Sequence, residues 1–111
     1  MMKRGSVYWV NFGPYSGHIQ GGVRPAIIMG NLKALKYGTT ITVIPITTKI
    51  KRRDIRAHVL GFNRKSQKSC MALCEQITTV SRESIIGPIP YISFNMDSID
   101  KAVKEELGLE I

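Results

Sequence analysis

Gln20-Gly21-Gly22-Val23-Arg24-Pro25 runs directly into the apolar stretch Ala26-Ile27-Ile28-Met29. Paired glycines allow a tight backbone approach that no side chain obstructs. Pro25 restricts Arg24 to extended backbone and is itself acceptable at the first position of a strand. An arginine held this way leaves the lip of a sheet at a fixed angle, where its guanidinium can clamp a phosphate through two parallel hydrogen bonds. Taken alone, the motif reads better as a plain turn with a solvent-facing arginine, so the rest of the chain decides.

A second concentration of charge is Lys49-Ile50-Lys51-Arg52-Arg53-Asp54-Ile55-Arg56. The 111 residues carry 16 Lys and Arg against 8 Asp and Glu, a formal charge of +8. That excess points to a polyanionic partner, nucleic acid first and an acidic peptide second. Lys49, Lys51, Arg52 and Arg53 would follow a phosphate backbone, adding affinity and salt dependence without sequence choice; the plainer reading is a solvated loop. Tyr15, in the loop 13–22, is placed to stack an unpaired base. His18, in the same loop, has a reference pKa of about 6.5 and is a minor candidate for proton transfer. Cys70 and Cys74 are the only cysteines. Four apart in one expected strand, they are too distant along the backbone to bridge and read as reduced, buried thiols of a cytosolic protein. His18 and His58 stand without Cys-x-x-Cys or His-x-x-His spacing, so neither metal nor cofactor is expected.

Five segments in order carry a resemblance: Lys3-Arg4-Gly5-Ser6-Val7-Tyr8-Trp9, Gly21-Gly22-Val23-Arg24-Pro25, Ile44-Pro45-Ile46-Thr47-Thr48, Leu73-Cys74-Glu75-Gln76-Ile77 and a C-terminal helix closing on Leu107-Gly108-Leu109. Their order and spacing resemble the MazF/PemK toxins over nearly the whole chain. The resemblance implies an SH3-like barrel with a C-terminal helix and a sequence-specific endoribonuclease acting on single-stranded RNA, chiefly messenger RNA. It also implies a homodimer with RNA in a groove at the subunit interface. The cognate antitoxin would have an acidic, flexible C-terminal segment that folds onto this basic groove. Arg24 matches the family's active-site arginine and Thr47 its catalytic threonine.

RNA can be cut with its own 2′-hydroxyl as nucleophile, given a base, donors for the phosphorane oxygens and an acid for the leaving 5′-oxygen. Arg24 would neutralise the phosphate and Thr47 donate to a non-bridging oxygen. Thr48, on the opposite face by strand alternation, is the fallback. Burying Glu75 unpaired is costly, so a partner is expected, Arg24 or Arg4. Glu75 is then either a residue that orients Arg24 or contacts RNA, or half of a structural ion pair. Gln76 reads a base edge or satisfies backbone groups. Gln20, Gly21 and Gly22 belong to the RNA-contacting loop. Thr78 stands where many family members carry a basic residue, so an acid or second clamp moves to Arg53 or Arg56. Ile19 stands where an acidic residue is common. Two other classes fit the same chain: a non-catalytic RNA- or ribosome-binding barrel, and a toxin of this fold that poisons DNA gyrase through its C-terminal helix.

The positioning elements follow from pattern. Strands are expected over Ser6–Phe12, Pro25–Gly30 and Thr39–Ile46 and around Ile55, Ala57 and Val59, with the longest over Ser69–Val80. Trp9 is expected in the core, and Gly61–Lys68 as a polar, basic connection. Asn31–Gly38 suits a helical turn with Leu32 and Leu35 inward, and Ser81 caps a short helix to Ile86. Pro88 and Pro90 leave at most an edge segment. Asn95–Leu107 is a helix with Met96, Ile99, Val103 and Leu107 as its apolar stripe and Gly108 as its stop. Short strands with Gly and Pro punctuation and one terminal helix predict a single mainly β domain, a small antiparallel sheet curled into a partly open barrel. No apolar run approaches the about 20 residues that cross a bilayer, and no continuous apolar leader follows Lys3 and Arg4, so a cytoplasmic location is expected.

Overall fold

The computed structural model describes residues 2–14, 17, 21–50 and 55–109. Its strands are β1 (Val7–Asn11), β2 (Val23–Met29), β3 (Thr40–Thr47), β4 (His58–Asn63), β5 (Lys68–Leu73), β6 (Thr78–Ser81), β7 (Ile85–Pro88) and β8 (Ile92–Ser93). Two helices join them, α1 (Leu32–Tyr37) and α2 (Met96–Glu106). The strands pair antiparallel in the order β7-β1-β2-β3-β5-β4-β8, with β6 also on β3. The two ends of this order do not meet, so the sheet is a partly open barrel.

Alternation along the central strands sends side chains to two cores. Ile27 and Met29 of β2 and Ile44 and Ile46 of β3 join Cys70, Ala72 and the α2 residues Ile99 and Ala102. Ala26 and Ile28, with Val10, Ile41 and Val43, pack on the other face beneath Leu35 of α1. Both faces being covered explains why β2 and β3 read as continuous apolar runs. The Asn95 side chain accepts a hydrogen bond from Ser98 N–H to open α2. The helix closes as a Schellman turn, with Leu109 N–H on Lys104 C=O and Gly108 N–H on Glu105 C=O. Arg4 pairs with Asp100, tying the N-terminal turn to α2.

Several expectations are corrected. The expected strand Ser69–Val80 is two strands separated by a 3-10 turn over Cys74–Gln76, so Cys74, Glu75 and Gln76 lie on that turn. Three steps along β3, Val43 to Ile46, face six on the opposite chain, Ala72 to Thr78, and the turn absorbs the surplus. Gly61–Lys68 is not a connection: β4 continues to Asn63 and β5 begins at Lys68. The hairpin between them closes with Gln67 at φ 59°. β4 itself starts at His58, leaving Ile55 and Ala57 before it. Leu32 and Leu107 are exposed, because α1 buries only Leu35 and the α2 stripe shifts to include Ala102. Trp9 is 39% exposed; it shares the face of Val7 but lies beyond the point where the core covers it.

Gly61 of β4 lies directly under the ring of Phe94, and a Cβ there would meet ring carbons at 2.4 to 2.6 Å. Gly61→Ala therefore forces Phe94 off its seat on the larger core. It is expected to lower unfolding free energy by about 1–3 kcal/mol, read as a drop in the urea midpoint at unchanged slope.

Candidate active site and nucleic-acid cleft

The neck of the β1–β2 loop is closed by backbone hydrogen bonds, Phe12 N–H to Gly22 C=O at 2.9 Å and Gly22 N–H to Gly13 C=O. Gly22 adopts φ +73°, a left-handed conformation natural to glycine. Gly21 is buried, and its carbonyl accepts from Arg24 Nε at 2.8 Å. The neck thus aims the half-buried arginine. Arg24 lies opposite Val10 of β1. On its other side β2 pairs with β3 as Ala26↔Pro45 and Ile27↔Ile44. That ladder ends at Ala26↔Pro45, so Arg24 and Thr47 each lie two residues beyond it, at adjoining ends of neighbouring strands.

Thr47 is the one buried polar residue among those described, 7% exposed. Its Oγ1 accepts from Lys49 N–H at 3.1 Å. With an acceptor site of the oxygen so used, the hydroxyl proton is left to donate. Thr48 is exposed on the opposite face, as alternation requires, and lines a cleft of about 640 Å³ with Arg24. The cleft is also lined by Trp9, Pro25 and Ile46, by Asn63 and Lys68 of the β4–β5 hairpin, and by Tyr91, which the hairpin holds. Lys49 is exposed immediately after Thr48.

Glu75 pairs with neither Arg24 nor Arg4. Its Oε2 meets His58 Nε2 at 2.6 Å, on a histidine side chain only 8% exposed, while Oε1 is buried without a partner. The reason is the 3-10 turn, which carries Glu75 off the strand and toward the start of β4. Gln76 is partly exposed on the same turn. Arg56 lies in a shallow depression against α2 with Lys101 and Glu105, away from the cleft. Tyr15, His18, Gln20, Lys51, Arg52 and Arg53 lie outside the described residues. Among the described residues no group of three or more His, Cys, Asp or Glu side chains converges as a metal site requires. Sequence reasoning missed the hairpin wall and the His58–Glu75 pair. The polar run 63–67 between two apolar stretches was the available signal for the hairpin; a pair 17 residues apart leaves none.

A small, partly open β-barrel with an arginine and a threonine at adjoining strand ends, the arginine lining a polar, aromatic-walled cleft, is the class these features define. The sequence matches the family model of the PemK-like, MazF-like toxin of type II toxin–antitoxin system over residues 3–107. The chain belongs to that family. It is 35% identical to endoribonuclease MazF of Staphylococcus saprophyticus over 112 aligned positions, covering 98% of this chain and 93% of that protein. Its fold is similar to MazF from Deinococcus radiodurans, with TM-score 0.77, 21% identity and 97% of each chain covered. It is also similar to an endoribonuclease solved in complex with its cognate antitoxin from a mycobacterial species, with TM-score 0.75, 20% identity, and 100% and 99% covered.

Burial pushes the Cys70 thiol up to about 11. Burial, then the nearby Glu75 and Glu106 carboxylates, push Cys74 up to about 12. Both are therefore neutral and unreactive at ordinary pH. Iodoacetamide at pH 8 is expected to leave native protein unlabelled and to label both thiols in denaturant. Because the folded values lie above the ordinary 9.0, the associated stability is intact below pH 9 and lost as pH rises through the folded values. Equal labelling of native and denatured protein contradicts this.

Proposed function

We propose that this chain is the toxin of a toxin–antitoxin pair and a sequence-specific endoribonuclease that cuts single-stranded RNA, chiefly messenger RNA, without metal or cofactor. The observation that carries the reading is the placement of Arg24 and Thr47 at adjoining ends of neighbouring antiparallel strands, with Arg24 lining a cleft, in a domain of formal charge +8. The relative named endoribonuclease MazF supports it.

In this reading Arg24 binds non-bridging oxygens of the scissile phosphate and neutralises the charge that grows on them. Thr47, its oxygen engaged by Lys49 N–H, donates its proton to one of the same oxygens and fixes the phosphate's orientation. The ribose 2′-oxygen attacks phosphorus as its proton passes to a base. The P–O5′ bond breaks, and the leaving oxygen is protonated. The products are a 2′,3′-cyclic phosphate, or the 3′-phosphate after hydrolysis, and a 5′-hydroxyl. Because the substrate supplies its own nucleophile, no metal-activated water is needed. Arginine presents only donors, so it is a clamp and not the base. Glu75, held by His58, acts as half of a structural pair.

The active species is a homodimer in the cytoplasm. Its partner is an antitoxin whose acidic segment covers the same basic surface, attracted by the charge that attracts RNA.

Long mixed-sequence single-stranded RNA, incubated in excess EDTA and mapped at its fragment ends, tests the reading. Wild type is expected to give discrete cuts at a recurring short word with 5′-hydroxyl ends. Arg24→Ala, folded and still dimeric, is expected to be slower by about 10²-fold or more. RNA left intact by folded wild-type protein would turn the assignment to a binding module or a gyrase poison.

A further inference from the structure

The cleft beside Arg24 has walls of a kind that a phosphate clamp alone does not require. Its volume of about 640 Å³ falls in the range of pockets that hold a small organic group. Trp9 and Tyr91 line it with aromatic surface, and Asn63, Ser66 and Lys68 line it from the β4–β5 hairpin. The hairpin is anchored. Arg64 N–H bonds Tyr91 C=O at 2.8 Å, the Arg64 guanidinium bonds Pro90 C=O at 2.6 Å, and Lys65 Nζ sits 5.2 Å from the Tyr91 ring centroid.

Asn63 is held more closely still. Its Oδ1 accepts from Lys65 N–H at 2.9 Å and Ser66 N–H at 3.1 Å. These two donors fix which end of the carboxamide is oxygen and commit that oxygen to the turn. The NH2 end is left as a donor. An asparagine that reads adenine uses its donor and its acceptor together; Asn63 has only the donor to give. The ammonium of Lys68, on the same wall, also only donates. A base seated between them is favoured when it turns carbonyl oxygens to the hairpin, and disfavoured when it turns an exocyclic amino group there.

We propose that this cleft is a base-reading subsite that takes the nucleobase next to the scissile phosphate and selects uracil or guanine, with Asn63 as its positioned donor. The proposal rests on the endoribonuclease reading for its ligand. Aromatic surface, the Asn63 and Lys68 donors and Arg24 at the rim together match a single-stranded nucleotide.

Asn63→Asp tests it, because aspartate keeps an oxygen for the turn and replaces the NH2 donor with an acceptor of equal size. Wild type and variant select from a randomised single-stranded 2′-fluoro RNA pool, which lacks the attacking hydroxyl, so binding preference is read without cleavage. Wild type is expected to enrich uracil or guanine at one position. Asn63→Asp is expected to cut that preference about 10-fold, moving it toward adenine or cytosine, with other positions unchanged. An unchanged word overturns the proposal whether or not overall affinity falls, and so does a wild-type word with no uracil or guanine. An unchanged word with weakened binding of an acidic antitoxin peptide gives the cleft to the antitoxin instead.

Should Asn63→Asp fail to fold, Tyr91→Leu serves. Relative to wild type it is expected to weaken the selected RNA about 10-fold, but not the same RNA made abasic at that position. Equal weakening of both overturns the subsite. Failure of cleavage with a base preference present counts against the endoribonuclease reading and leaves the subsite standing.

Discussion

The sheet depends on how β3 shares its edges. One edge pairs with β2 over Thr42–Pro45, while the other pairs first with β6 over Thr40–Val43 and then with β5 at Ile46 and Thr47. Between those two ladders the facing chain leaves the sheet for the 3-10 turn Cys74–Gln76. Pro45, which has no N–H to give, stands in that gap and so withholds no donor from either ladder. A central strand interrupted this way can bend, and the bend lets one strand serve both halves of a small barrel. The same break takes Glu75 out of the sheet and delivers it to His58.

The consequence for the site is positional. β3 stays buried through Thr47, so the threonine is presented by a rigid strand end and its rotamer is held by Lys49 N–H. Arg24 is the first residue after Val23 in β2, and Pro25 restricts its backbone while Gly21 C=O holds its Nε. Two side chains on adjacent strands are each fixed by a backbone group, the preorganisation that the proposed electrostatic catalysis requires. Alternation then divides the labour between faces. Thr47 is buried and holds Lys49 N–H, and Thr48 lines the cleft with Arg24, the hairpin and the aromatic residues.

What was legible in the sequence was local. Gly-Gly-x-Arg-Pro reports its own conformation because glycine and proline act on the backbone directly, and the helix at Met96–Glu106 reports itself through spacing and its Gly108 stop. The apolar run 69–80 hid its break, since buried residues on a short 3-10 turn keep the composition of a strand. The β4–β5 hairpin was missed because Gln67, not glycine or asparagine, takes the left-handed position. Trp9 was expected in the core because hydrophobicity says nothing of where along a strand the barrel stops covering it. The His58–Glu75 pair depends on strand order, which no local pattern specifies. The roles of Arg24 and Thr47 came from resemblance to a family, and the fold adds their positions at adjoining strand ends.

The proposed mechanism makes one demand: the two side chains act on the same phosphate, so neither is fully effective without the other. Single-turnover RNA cleavage by wild type, Arg24→Ala, Thr47→Val and the double variant measures this. The account predicts that the double variant is little slower than the slower single variant, because the second loss removes a donor from a phosphate already misplaced. Rate losses that simply multiply would mean independent sites and would contradict it.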